Sequence, residues 1–139
     1  VMTGKMTRKE IEEFGWRALK EKETVVRNFL KRKVGRKLIA ILLGKPDKPD
    51  YLRADAFLYK RAKLNEREML KIEECYEAAR IIDQLRYREN GIDKMVARNW
   101  LRMRCYHLSE QIPICVIRDG RNYNYLSAIG AAKTFVLNK

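Results

Sequence analysis

Residues 65–91 read NEREMLKIEECYEAARIIDQLRYRENG, and this stretch organises the chain. Asn65 followed by Glu68 is a capping box: the Asn side chain accepts from a first-turn amide while the Glu carboxylate reaches back to the cap. Asn90-Gly91 is the matching stop, because glycine adopts the left-handed conformation that ends a helix. Between these signals Met69, Leu70, Ile72, Cys75, Tyr76, Ala79, Ile81, Ile82 and Leu85 spread almost all round the helix axis. A helix apolar on most faces is covered on most faces, so this segment is expected to be the centre of the fold.

On the N-terminal side, Thr7-Arg8-Lys9-Glu10 has the spacing of a second capping box. It predicts a helix from Arg8 to Val34, ended by Gly35, with Ile11, Phe14, Ala18, Val25 and Phe29 on its apolar stripe. Lys9, Lys20, Arg27 and Lys31 gather on a different face, and Trp16 stands off the stripe. Arg36–Leu43 reads as a helix ending at Gly44, with a buried strand as the alternative. Lys45-Pro46-Asp47-Lys48-Pro49-Asp50 is a loop, since its prolines remove amides and hold their predecessors extended. That loop separates a basic N-terminal helical arm or subdomain, residues 1–44, from a helical core, residues 50–139. The core opens with a short helix over Tyr51–Lys63.

On the C-terminal side, Asp93 is expected to cap a helix running to about Ser109. After Pro113 the pattern changes. Ile114-Cys115-Val116-Ile117, the pair Asp119-Gly120 and then Tyr123-Asn124-Tyr125-Leu126 read as two strands and a tight turn. Ala128–Leu137 fits a helix or a strand. The expected fold class is therefore mainly α, a small helical bundle with a C-terminal β-hairpin in the outline of a winged helix.

The 139 residues include 31 Lys or Arg against 18 Asp or Glu, a net charge of +13. The first fifty residues hold +7 of it and the last thirty-nine +4, leaving 51–100 nearly balanced. The densest run is Lys31, Arg32, Lys33, Arg36 and Lys37, with no acid among them. Such a cluster suits a polyanion, because each neutralised phosphate releases condensed counterions. Lys94, Arg98 and Arg102 fall on one face of the expected 93–109 helix, opposite Val96, Ala97, Trp100, Met103 and Leu108. An apolar back with a cationic front is the pattern of a helix that lies on phosphates. Arg104 points toward the apolar side. Arg118, Arg121, Asn122 and Tyr123 surround the tip of the expected hairpin, mixing phosphate donors with an aromatic ring able to stack on unpaired bases.

Several chemistries lack their motifs. The possible zinc ligands Cys75, Cys105, His107 and Cys115 lack the paired short spacing of structural zinc sites. Glu73, Glu74 and Glu77 sit on a charge-balanced helix rather than in an acid-x-Lys nuclease pattern, and no Gly-rich phosphate loop or nucleophile elbow occurs. No catalytic residue, metal or cofactor is expected. The longest apolar run, Leu38–Leu43, is six residues where a membrane span needs about 20. Three cysteines without pairing, and no apolar signal core after the basic start, point to a reducing cytoplasmic setting.

The expected function is non-enzymatic nucleic-acid binding, DNA or RNA, by a regulator (of transcription, for instance) or accessory subunit of a nucleoprotein machine, of viral or mobile-element type. The alternative is a regulator that binds a protein of the transcription or replication machinery, with Trp16 as its anchor. A metal-dependent nuclease is the third reading, and a homodimer is compatible with the all-round apolar helix.

Overall fold

The 65–91 segment forms α5 (Glu66–Asp83), and the capping box is present with both of its hydrogen bonds. Ile72, Cys75, Tyr76, Ala78, Ala79, Ile81 and Ile82 have no exposure at all, so α5 is the axis of the core. The computed structural model describes residues 4–14, 23–87 and 93–138. Among them the other helices are α1 (Arg8–Glu13), α2 (Glu23–Lys33), α3 (Arg36–Leu43), α4 (Tyr51–Lys60), α6 (Val96–Arg102), α7 (Pro113–Asp119) and α8 (Ala128–Leu137). Short 3-10 turns follow at Gln84–Tyr87 and Tyr106–Leu108. Trp16, the middle of the expected 8–34 helix and the Asn90-Gly91 stop lie outside the described residues.

Helices α2, α3, α6, α7 and α8 all pack on α5. Ala128, Ala131 and Ala132 are fully covered, and these small side chains let α8 lie close along α5. Helix α3 also packs on α4 and α7, so residues from both sides of the 45–50 loop share one apolar cluster. No helix among the described residues is long and apolar enough to cross a membrane.

The C-terminal β-hairpin and the winged-helix outline are overturned, because the described residues contain no β-strand. Ile114-Cys115-Val116-Ile117 lies in α7, where Pro113 occupies the first turn and needs no amide partner there. Ile114, Val116 and Ile117 are all buried among other helices, and burial from several sides outweighs the strand preference of β-branched residues. Asp119-Gly120 is no hairpin turn. Gly120 follows the last turn of α7, with its amide on Ile117 O and the Arg121 amide on Val116 O. The undecided segment Ala128–Leu137 is a helix, opened by Ser127, whose side chain accepts from the Gly130 amide.

The 93–109 helix is shorter than expected. It starts at Val96 and ends at Arg102, where Met103 turns extended. Cys105 then donates its amide to Gln111 O, and the chain reverses to enter α7. Arg27, expected on an open cationic face, is buried; it donates to Phe57 O at 2.7 Å and pairs with Glu23 at 2.8 Å.

Candidate nucleic-acid interface

A basic groove of about 1070 Å³ is walled by the 44–50 turn, the starts of α4 and α5, and the end of α7. Its shape begins at Gly44. A β-carbon there would meet Lys48 O and lie 2.7 Å from Asp50 N and 2.9 Å from Ala40 O, so only glycine lets the turn fold back on α3. The Asp50 amide then bonds Ala40 O at 2.9 Å, and Lys45 and Lys48 exchange backbone bonds at 3.0 Å around Pro46-Asp47. This closed turn holds the Lys45 and Lys48 side chains at the groove.

The opposite wall carries Arg67 and Lys71, four residues apart on one face of α5, and beyond them Arg118 and Arg121. Burial and the neighbouring Arg67 guanidinium push the Lys71 ammonium down from its ordinary value. Three carboxylates also line the groove, and each is engaged within the chain. Asp50 caps α4 by accepting from the Arg53 amide. Glu68 is gripped by Arg53 through two bonds of 2.8 Å, and Asp119 by Arg118 at 2.9 and 3.3 Å. Those guanidiniums hold the Glu68 and Asp119 carboxyls below their usual range. Lys45, Lys48, Arg67, Lys71 and Arg121 have no such ion pair among the described residues. Cations in excess over the lining acids, two of which are already paired with guanidiniums, form a site that an anion would stabilise.

The residues expected from sequence are distributed unevenly. In the 31–37 cluster, Lys33 pairs with the buried Asp83 at 3.5 Å, and Arg36 grips Asp55 at 2.6 and 3.1 Å. Arg36 also lies over the Tyr51 ring at 4.4 Å, and Lys31 over Tyr59 at 5.6 Å. Arg32 and Lys37 remain open to solvent. Arg98 does not face a partner surface. Its Nε donates to Val34 O at 2.8 Å and its guanidinium lies against Gly35, so it caps the end of α2. Lys94, just before α6, is exposed, as is Arg102, which bonds Asn99 at 3.0 Å. Arg104 is exposed rather than turned to the apolar side. Arg118 is buried against Asp119, Arg121 and Asn122 are exposed, and Tyr123 is half-buried.

The groove brings only Arg118 and Arg121 of that set together. Lys45 and Lys48 read as loop punctuation, and Arg67 and Lys71 as part of a balanced helix. The available signals were the KPDKPD doublet and the i, i+4 spacing of two cations. Among the described residues no three His, Cys, Asp or Glu gather as a metal site. Burial pushes the Cys75 thiol up to about 12, far from a reactive thiolate. No protein family, curated protein or solved structure matches the chain, so a functional reading rests on this site's own chemistry.

Proposed function

We propose that the protein binds the phosphate backbone of nucleic acid in the Lys45–Arg121 groove, as a regulator or accessory subunit without chemistry of its own. One observation carries this: five cations without an ion pair of their own among the described residues line the groove against three carboxylates, two of which, Glu68 and Asp119, are already gripped by Arg53 and Arg118. Backbone phosphates meet that charge without needing sequence-specific contacts, and the net charge of +13 adds long-range steering. Arg32 near the end of α2 and Lys37 near the start of α3 are further solvent-exposed cations outside the groove lining. The test is fluorescence anisotropy with labelled oligonucleotides over a salt series. The wild type should give a log–log slope near −0.9 per neutralised phosphate on duplex, or −0.7 on single strands. Arg67→Gln with Lys71→Gln should reduce that slope by about two phosphates' worth. A slope that does not change would remove the groove from the contact surface.

One observation favours a second reading, docking on an acidic protein surface. Leu52, 85 % exposed, lines the groove, and Leu70 is exposed one turn from Glu66 on α5. Leu52→Ser would then weaken a protein partner and leave oligonucleotide affinity intact.

A further inference from the structure

A smaller notch of about 190 Å³ lies between the first half of α5 and the end of α7. It shares Arg67, Lys71, Arg118 and Asp119 with the lining of the groove, so the two concavities adjoin. Arg67, Leu70, Lys71 and Glu74 recur at three and four residues, which sets all of them on one face of α5. Leu70, which is exposed, and Ile117, which is buried, give the notch apolar walls.

The two carboxylates of the notch are in different states. Asp119 is gripped by Arg118 through two bonds. Glu74 has no ion pair among the described residues and accepts from the Ala128 amide at the start of α8. A carboxylate has two oxygens and about four acceptor positions, so that one bond leaves most of its capacity unused. Burial, the main influence on it, pushes the Glu74 carboxyl up, and a donor brought by a ligand would offset this cost.

These features select among occupants. An apolar side chain of a partner protein would cover the Glu74 carboxylate without supplying a donor, which is costly. A partner's Lys or Arg would enter against Arg67, Lys71 and Arg118, and a phosphate would meet Glu74 itself. A nucleobase has apolar faces and N–H donors on its edge. The notch is smaller than the about 300 Å³ at which sites for whole small molecules begin, so it admits one ring system and leaves sugar and phosphate outside. Guanine alone sets two donors side by side on one edge, N1–H and the N2 amino group. Adenine and cytosine place one donor beside an acceptor, and thymine or uracil one donor between two acceptors.

We propose that the notch takes an unpaired guanine of the bound nucleic acid, its N1–H and N2 amino group donating to the Glu74 carboxylate while the flanking phosphates lie in the groove. This rests on the phosphate-backbone reading above and adds a base preference to it. A guanine paired in a duplex gives that edge to cytosine, so the guanine read here is an unpaired one.

The experiment is anisotropy over a salt series with oligo(dT) strands that carry one central guanine, adenine, cytosine, thymine or inosine. The wild type should bind the guanine strand about tenfold tighter than the thymine strand. Inosine lacks the N2 amino group and should lose most of that gain, a readout that leaves the protein unaltered. Glu74→Gln keeps an acceptor for the Ala128 amide and turns an N–H toward the base, so it should bind the guanine and thymine strands within about twofold of each other at an unchanged salt slope. Guanosine monophosphate should displace the guanine strand only far above the strand's own concentration, because phosphates along the groove carry most of the affinity. Displacement at matching concentration would make a free nucleotide the ligand and overturn the strand. The guanine assignment is refuted if the wild type binds the strands alike or prefers another base, if inosine binds like guanine, or if Glu74→Gln keeps the preference. In each of those cases binding with a steep slope would leave the phosphate reading standing. A wild type that binds none of the strands overturns both.

Discussion

Arg98 and Gly35 make the sharpest stability prediction. Gly35 ends α2 at φ 96° and ψ 161°, a conformation almost confined to glycine. Any β-carbon there costs about 1–3 kcal/mol in backbone strain alone. It would also lie 2.8 Å from a guanidinium nitrogen of Arg98 and 3.1 Å from its central carbon. The guanidinium must then move and release Val34 O, a charged hydrogen bond of about 1.5–3 kcal/mol. Gly35→Ala should therefore destabilise by about 3–4 kcal/mol, allowing for partial relaxation. Arg98→Ala, which removes the cap from a half-exposed site, should cost about 1–2 kcal/mol. In the Arg98→Ala background the steric part disappears, so Gly35→Ala should cost only its backbone strain, leaving a coupling of about 1–2 kcal/mol between the two sites. Urea unfolding followed by circular dichroism measures all four corners of this cycle. A Gly35→Ala protein within about 0.5 kcal/mol of the parent, or one equally costly in both backgrounds, would refute the reasoning. Binding offers a second check: since Arg98 serves a carbonyl of its own chain, Arg98→Ala should leave the salt slope for nucleic acid unchanged.

Three further outcomes follow from the same structure. Tyr125→Gly should raise stability by about 0.5–1 kcal/mol, because glycine relieves the left-handed strain and no buried area is lost; a drop in thermal midpoint would show that the ring supports the fold. Gly44→Ala should displace the 45–50 turn by breaking the Asp50–Ala40 bond, weakening oligonucleotide binding together with stability; unchanged affinity would separate that turn from the interface. Burial, with Glu73 and Glu74 nearby and Lys133 opposing them, pushes the Glu77 carboxyl from an ordinary 4.5 to about 7. Between those two values the unfolded chain loses a proton that the native state keeps, so stability falls as pH rises through that window, by up to about 3 kcal/mol. Glu77→Gln should stabilise the protein at about pH 8 and change little at about pH 4, and equal effects at both would contradict the assignment.

Local signals were legible in the sequence where each acts within one turn of helix. The capping boxes at Thr7–Glu10 and Asn65–Glu68 form with their expected bonds, and Gly35 and Gly44 end their helices. The apolar residues spread round the axis of 65–85 place α5 at the centre, where 75–83 is buried throughout, while its first turns keep an open charged face at Glu66, Arg67 and Lys71. The run Ile114–Ile117 misleads because β-branched residues favour strands only when their surroundings are sheet-like, and here α3, α5, α6 and α8 surround it.

Composition by itself determined the sign and size of the charge, and with it the class of ligand worth testing. Which cations remain available was decided by tertiary structure alone. Lys33, Arg36, Arg98 and Arg118 are drawn to Asp83, Asp55, Val34 O and Asp119 respectively, and two of these partners lie tens of residues away in the chain. Lys45, Lys48, Arg67, Lys71 and Arg121 come together only when a turn, a helix start and a helix end meet. Charge adds up along a chain regardless of order, but an ion pair needs two groups within about 4 Å, and the fold sets that distance.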